Sequence, residues 1–310
     1  TYMDATQGWI PTTDDDVTNA PTIEPNTEGI FGYGWTGSVT AVTNLVSNAG
    51  VVASDVAGVG TAKKYLNACE YGGDKGIFGF GHDDTIFLSA TNLVSNAGVV
   101  ATDTTGVGTA RSALAACGYG YDKGIFGFGN DGSATNVSNL VSNAGVVATD
   151  TTGVGTARVY LAATQYGGDK GIFGFGSTTP VVSLSNLVSN AGVVATDTTG
   201  VGTARNYLAA CSYGEDKGIF AFGQNSGGSL VDESNLVSNV GVVATDTTGV
   251  GTNRGYLAAC EYGGDKGIFG FGFDGGYAGE TNLVSNTGVV ATDVAAVGTA
   301  RYGPAACSFN

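Results

Sequence analysis

An all-β fold is what this sequence predicts, and three observations carry the prediction. The phrase Ile-Phe-Gly-Phe-Gly, or a close variant, begins at Ile30, Ile77, Ile125, Ile172, Ile219 and Ile268, so a unit of 47 to 49 residues recurs six times. The apolar residues fall in short runs rich in Val, Ala, Ile and Phe, which suit strands better than helices. The 53 glycines separate those runs with turns.

The second module shows the elements in order. Tyr65 to Cys69 is a short apolar strand ending at a Tyr-Gly-Gly-Asp-Lys-Gly turn. The strand Ile77 to Gly81 follows, then a variable stretch from His82 to Thr91. Asn92 to Asn96 and Val99 to Thr105 are the third and fourth strands, each closed by a glycine turn. Four short strands in about 48 residues predict one propeller blade, and six modules predict a six-bladed β-propeller with four-stranded blades. Side chains alternate along a strand, so Phe78 and Phe80 are expected on one face, with Ile77, Gly79 and Gly81 on the other. The rings of one blade would then press on the glycine-lined face of its neighbour, which offsets the cost of glycine in a strand.

The phase of the repeat predicts how the ring closes. The first module has no Leu-Ala-Ala-Cys strand before its Phe-Gly strand, and the last ends on Arg301 to Cys307 with no Phe-Gly strand after it. Tyr302 to Cys307 is therefore expected to complete the blade begun by Gly29 to Gly34. An open solenoid would need atypical end caps, and the end copies here are as regular as the middle ones. Residues 28–310 form the predicted propeller, with modules starting near residues 28, 75, 123, 170, 217 and 266. Residues 1–27 carry Pro11, Pro21, Pro25 and a polar run from Thr12 to Asp16, and are expected to be a tether or docking strand. The chain starts at Thr1, so further sequence is expected upstream.

The net charge of −15 is spread over the scaffold. Lys75, Lys123, Lys170, Lys217 and Lys266 stand in the Asp-Lys-Gly turns, and Lys63, Arg111, Arg158, Arg205, Arg254 and Arg301 follow Thr-Ala or Thr-Asn. Lys64 is the only other cation. Without a basic cluster, nucleic acid is not an expected partner. No apolar run reaches the roughly 20 residues of a spanning helix, so membrane insertion is not expected either. Cys69, Cys117, Cys211, Cys260 and Cys307 hold equivalent positions, with Thr164 in the remaining copy, and are expected to be free, small, buried side chains.

Signals for catalysis are thin. His82 is the sole histidine, which removes multi-histidine metal sites and histidine triads. The aspartates that recur, such as Asp103, Asp150 and Asp122, are expected to cap turns, because catalytic pairs are rarely copied six times. The expectation is a non-enzymatic protein with no cofactor and no metal.

One connection differs in every copy: Trp35 to Thr43, His82 to Thr91, Asn130 to Ser138, Ser177 to Ser185, Gln224 to Ser234 and Phe273 to Thr281. These loops would emerge on one rim, opposite the uniform Asp-Lys-Gly turns. Varied loops on a rigid scaffold are where recognition resides. The candidate binding residues are Trp35, His82, Asp83, Asp84, Phe87, Asp131, Asp232, Phe273, Asp274 and Tyr277, because aromatics expected to be exposed beside acids would suit a carbohydrate or protein surface.

The element order resembles the kelch repeat. Arg111 leads an inner strand, Phe126-Gly127-Phe128-Gly129 stands at the glycine pair, and the outer strand ends at Arg158. The outer-strand Trp common in kelch is missing, and the Gly-Gly doublet is Gly-Phe-Gly. The modules more closely resemble a kelch-like family abundant in marine bacteriophage sequences, through Gly124 to Gly129, Ala148-Thr149-Asp150 and Ala204 to Cys211. Tyr2 to Ile10 is similar to a terminal phrase of phage tail and appendage proteins. The resemblance covers residues 28–310 and implies a virion-surface protein: a tail, fibre or capsid appendage that presents the variable rim to a host glycan or protein. Other virion proteins would be contacted through residues 1–27 or the uniform rim, and self-association into a homo-oligomer is compatible with it. The alternatives are a purely structural decoration of the particle and, further off, a glycan-acting enzyme.

Overall fold

The computed structural model describes residues 26–310, together with two short strands, Tyr2–Asp4 and Gly8–Trp9, that pair with each other. The expected tether thus lies mostly outside the described residues. Among the described residues there is no helix, and the chain is all β.

Its main strands form six three-stranded antiparallel sheets, each with an Ile-Phe-Gly strand, or Ile-Phe-Ala in one, in the middle. Sheet 1 joins Ala305–Phe309, Glu28–Trp35 and Val39–Val46. Sheet 2 joins Asn67–Tyr71, Lys75–Gly79 and Thr91–Val94, and sheet 3 joins Ala115–Tyr119, Lys123–Asn130 and Ala134–Val141. Sheet 4 joins Ala162–Tyr166, Lys170–Gly174 and Ser185–Val188. Sheet 5 joins Ala209–Tyr213, Lys217–Ala221 and Ser234–Val237, and sheet 6 joins Ala258–Tyr262, Lys266–Phe273 and Tyr277–Val284. The first strand of each sheet contacts those of the sheets before and after it, and the first strand of sheet 6 contacts that of sheet 1.

Sheet 1 is assembled from both ends of the described chain. Cys307 stands opposite Ile30, and Phe309 opposite Glu28. The strand begins at Ala305 rather than at Tyr302, which reaches Trp35 only through an isolated bridge. Where other sheets have a covalent turn, the amide of Thr27 donates to the carbonyl of Asn310 at 3.0 Å.

Two expectations need correction. The fourth strand is reduced to isolated bridges, such as Val94↔Val100 and Thr91↔Thr104. Between those bridges the carbonyl of Ala101 accepts from the Asn92 side chain at 3.1 Å, so a side chain stands in for part of the ladder. Phe78 and Phe80 do not share a face. Phe80 has φ +63°, a left-handed turn just after the strand, which breaks the alternation. Phe78 packs toward sheet 1 with Tyr33, whereas Phe80 packs toward sheet 3 with Phe126. The ring-on-glycine contact itself is present. A Cβ on Gly127 would lie 2.7 Å from Phe173 of sheet 4, closer than packed atoms allow.

The cysteines use the same device. All five are buried and free. A Cβ on Gly124 would lie 2.4 Å from the Cys69 sulfur, so each thiol occupies space that a neighbouring glycine leaves open. Thr164 fills the equivalent niche with its methyl, 2.5 Å from a Cβ built on Gly218.

The scaffold cations are buried between sheets. Arg111, Arg158, Arg205, Arg254, Arg301 and Lys63 are fully buried. Each lies over an aromatic ring, as Arg301 lies 3.9 Å above Phe271. The Ala-Thr-Asp carboxylates accept backbone N–H bonds at turns, as expected, but the turn each one caps belongs to a neighbouring module. They clamp one module to the next. Asp150 accepts from the Thr109 amide at 3.0 Å and hydroxyl at 2.6 Å, and from Asn139 at 2.9 Å. The same clamp joins Thr299 of the last module to Asp55 of the first, with the hydroxyl at 2.5 Å. Burial pushes these carboxyls up, but the Thr and Asn hydrogen bonds and the nearby cation outweigh it and hold them below the usual carboxylate range.

Candidate functional site: an aromatic sector of the loop rim

Antiparallel sheets of this order place the uniform turns at one end and the variable loops at the other. At the loop end, Tyr65, Ala113, Tyr160, Tyr207, Tyr256 and Gly303 lead into the first strands. All six are left-handed, with φ between +54° and +65°. That conformation turns each amide toward the neighbouring module. Ala113 donates to Tyr65, Tyr160 to Ala113, Tyr207 to Tyr160, Tyr256 to Tyr207, Gly303 to Tyr256 and Tyr65 to Gly303, at 2.8 to 3.0 Å. The series of bonds returns to its starting residue.

The side chains of this series converge. Tyr207 and Tyr256 stack with ring centroids 3.8 Å apart, and Tyr160 lies 4.3 Å from Tyr207. Burial, then the hydrogen bond with Tyr302, pushes the Tyr65 phenol far above its ordinary value, and burial with the Tyr207 bond does the same for Tyr256. Both phenols stay neutral at physiological pH and keep a proton to donate.

One sector carries more. A cleft of about 170 Å³ is lined by Tyr65, Tyr256, Phe273 and Tyr302. Tyr277 lies 5.8 Å from Tyr302, and the Trp35 indole N–H donates to the Tyr277 hydroxyl at 3.2 Å. The Lys64 ammonium sits 3.7 Å above the Trp35 ring and is paired with Asp84 at 2.6 Å. The position after the final glycine of the Ile-Phe-Gly phrase explains the asymmetry. It is Phe273, Trp35 and His82 in sheets 6, 1 and 2, but Asn130, Ser177 and Gln224 in sheets 3, 4 and 5. The aromatic sector therefore spans the seam where the two ends of the described chain meet.

The sequence-derived candidates divide accordingly. Trp35, Phe273, Tyr277 and Asp84 come together, with His82 and Phe87 beside them in edge contact at 5.2 Å. Among the four aromatics expected to be exposed, Tyr277 is exposed and Trp35, Phe87 and Phe273 are half-buried. Several of the acids are committed to local turns, as short Asp side chains favour. Asp83 accepts from Thr85 and Ile86, Asp131 from Ser133, and Asp274 from Gly276. The His82 imidazole Nδ1 accepts from the Asp84 amide at 2.9 Å, so it too caps a turn. Asp232 lies against the Gly249 backbone, outside the cluster.

Sequence reasoning missed Lys64 and the tyrosines. A signal was present: Tyr stands two residues after the scaffold cation in four modules, at Tyr65, Tyr160, Tyr207 and Tyr256, and one residue after it at Tyr302. A second set was also missed. The residue after each Cys or Thr164 is Glu70, Gly118, Gln165, Ser212, Glu261 or Ser308, varied within an otherwise uniform strand. Most of these line a cavity of about 40 Å³ enclosed by the six first strands. Ser212 donates to Glu261 at 2.6 Å. Burial, then repulsion from Glu70, pushes the Glu261 carboxyl up to about 8. Glu70 is likewise raised by burial. Both are half-buried and line this narrow space.

Among the described residues, no group of three or more His, Cys, Asp and Glu side chains is placed to hold a metal ion. No protein-family model matches this chain, and no curated protein matches it.

Proposed function

We propose that this chain is a six-bladed, kelch-like β-propeller whose ring is closed by its C-terminal strand, and that it is a non-enzymatic recognition module of a phage particle. The ring reading is supported by the pairing of Ala305–Phe309 with Glu28–Trp35, by the Thr299–Asp55 clamp and by the six amide bonds that return to Tyr65. The virion setting, in a tail, fibre or capsid appendage, rests on the resemblance of the modules to marine phage sequences. The functional reading rests on one observation above all. The aromatic side chains at the variable rim gather in a single sector, while the opposite sector carries Asn130, Ser177 and Gln224 at the equivalent positions. Drift alone gives no reason for such grouping, whereas a binding surface requires it.

The test is attachment. A variant with Trp35→Ser, Asp84→Asn and Tyr277→Ser keeps the scaffold and should lose binding to host cells. Unchanged attachment by a folded triple variant refutes the recognition reading.

A structural assembly role has its own supporting observation. Val51, Val99, Val146, Val193, Val242 and Val289 are all exposed at equivalent hairpins beside the uniform turns. A rim of that kind suits contact with another particle protein. Crosslinks from the uniform rim, and none from the loop rim, would favour it.

A further inference from the structure

We infer that the cleft lined by Tyr65, Tyr256, Phe273 and Tyr302 is a subsite for a single neutral pyranose ring. This deepens the recognition reading above and rests on it.

The size argues for one ring. At about 170 Å³ the cleft is smaller than the roughly 300 Å³ where pockets for drug-sized ligands begin. Its walls are four aromatic rings, half-buried and so open on one side. Aromatic faces of this kind receive a ligand that has an apolar face of its own. The edge of the cleft is polar. Lys64 and Asp84 form an ion pair next to Tyr65, and the tyrosine hydroxyls supply hydrogen-bond donors and acceptors. A ligand with an apolar face and a hydroxyl-bearing rim fits both features, and a pyranose is such a ligand.

Charge narrows the class. Lys64 already places an ammonium 3.7 Å over Trp35 and 5.5 Å from the Tyr65 ring, so a quaternary ammonium in the same cluster would be repelled. An anionic sugar would meet a protein of net charge −15, with the Lys64 ammonium already paired with Asp84. A neutral sugar avoids both costs.

The chain supplies its own control substitutions. Ala113 takes the left-handed position equivalent to Tyr256, and Gln224 takes the position equivalent to Phe273. Tyr256→Ala and Phe273→Gln therefore install residues that the same scaffold already carries. Binding is read by saturation-transfer NMR with methyl α-D-glucopyranoside, methyl β-D-galactopyranoside and methyl N-acetyl-β-D-glucosaminide, with choline chloride as the cationic probe. At least one glycoside should bind with Kd of about a millimolar, as expected for one small ring. Each substitution should raise Kd about tenfold, since each removes one aromatic wall. Should Tyr256→Ala fail to fold, Phe273→Gln carries the test alone.

Glycoside binding that survives Phe273→Gln in a folded protein overturns the assignment of the cleft. Binding of choline with no glycoside bound overturns the ligand class. If no glycoside binds while the Trp35, Asp84 and Tyr277 variant still loses host attachment, the sugar inference is wrong and the rim reading stands. If that variant also keeps attachment, both fail.

Discussion

Replacing Asp55 with Ala tests whether the last module is held to the first as firmly as neighbours in the middle of the chain are held to each other. Asp55 accepts two bonds from the Thr299 amide, at 3.1 and 3.0 Å, and one from the Thr299 hydroxyl at 2.5 Å. Asn44 adds another at 2.9 Å. The carboxylate is exposed, so these bonds contribute at the low end for charged acceptors, about 1–2 kcal/mol together. Arg301 is fully buried and loses its nearby negative charge, which adds about 1 kcal/mol. The total is about 2–3 kcal/mol, or about 5 °C in Tm for a chain of this size. Asp150→Ala breaks the same contacts between modules adjacent in sequence, where Thr109 and Asp150 are 41 residues apart. Thr299 and Asp55 are 244 apart. Differential scanning calorimetry should give equal losses for the two variants at pH 7. Because the Asp55 carboxyl is held below its ordinary value, its contribution is present above pH about 4 and disappears as pH falls through the folded pKa. If Asp55→Ala costs nothing while Asp150→Ala costs the full amount, the end modules are not clamped and the reasoning fails.

Further outcomes follow from the same structure. A circular permutant of residues 26–310 that links Asn310 to Asn26 through two glycines and opens the chain at the exposed turn residue Gly132 should fold, with Tm within about 3 °C of the unpermuted 26–310 chain, because the Thr27 amide already hydrogen-bonds the Asn310 carbonyl; circular dichroism melting checks this. Glu261 has a folded pKa of about 8, above its unfolded value, so its stabilising share is full below pH about 4.5 and lost as pH rises through 8. Glu261→Gln should therefore leave stability unchanged near pH 4.5 and raise it near pH 8.5, as read from urea midpoints. Lys63 with Tyr33 replaces the Arg–Phe pair of the other modules: the ammonium lies 5.0 Å from the ring centroid, and the Tyr33 hydroxyl donates to Val59 at 3.1 Å. Lys63→Arg and Tyr33→Phe should each cost about 1 kcal/mol, and the double variant less than their sum, by denaturant titration.

How far the sequence reaches is clear from particular residues. The missing strand before Ile30 and the surplus strand at Cys307 foretold the pairing of Cys307 with Ile30, because a module count is independent of geometry. The contact of Phe173 on Gly127 was legible too, as a large ring and a bare glycine at a fixed spacing imply close approach. Phe80 was not. Its left-handed backbone is set by packing between sheets 2 and 3, and nothing local in Phe-Gly marks it. The loss of most of the fourth strand was hidden for a related reason, since the Asn92 side chain competes for a main-chain carbonyl that the pattern assigns to a ladder. At the site, Trp35, Phe273 and Tyr277 were visible as variable-loop aromatics. Tyr65 and Tyr256 lie in the uniform part of the module, outside the variable loops. They meet because the six first strands converge, and convergence of residues 191 apart has no signature in a local period.

The most direct test of the account is a hydrogen-exchange footprint of the protein bound to cell-envelope material from a bacterium to which it attaches. The account predicts slowed exchange in residues 35–43, 82–91 and 273–281 and at Tyr65 and Tyr302, with the Asp-Lys-Gly turns unchanged. Protection confined to those turns would contradict it and place the binding face at the other end of the molecule.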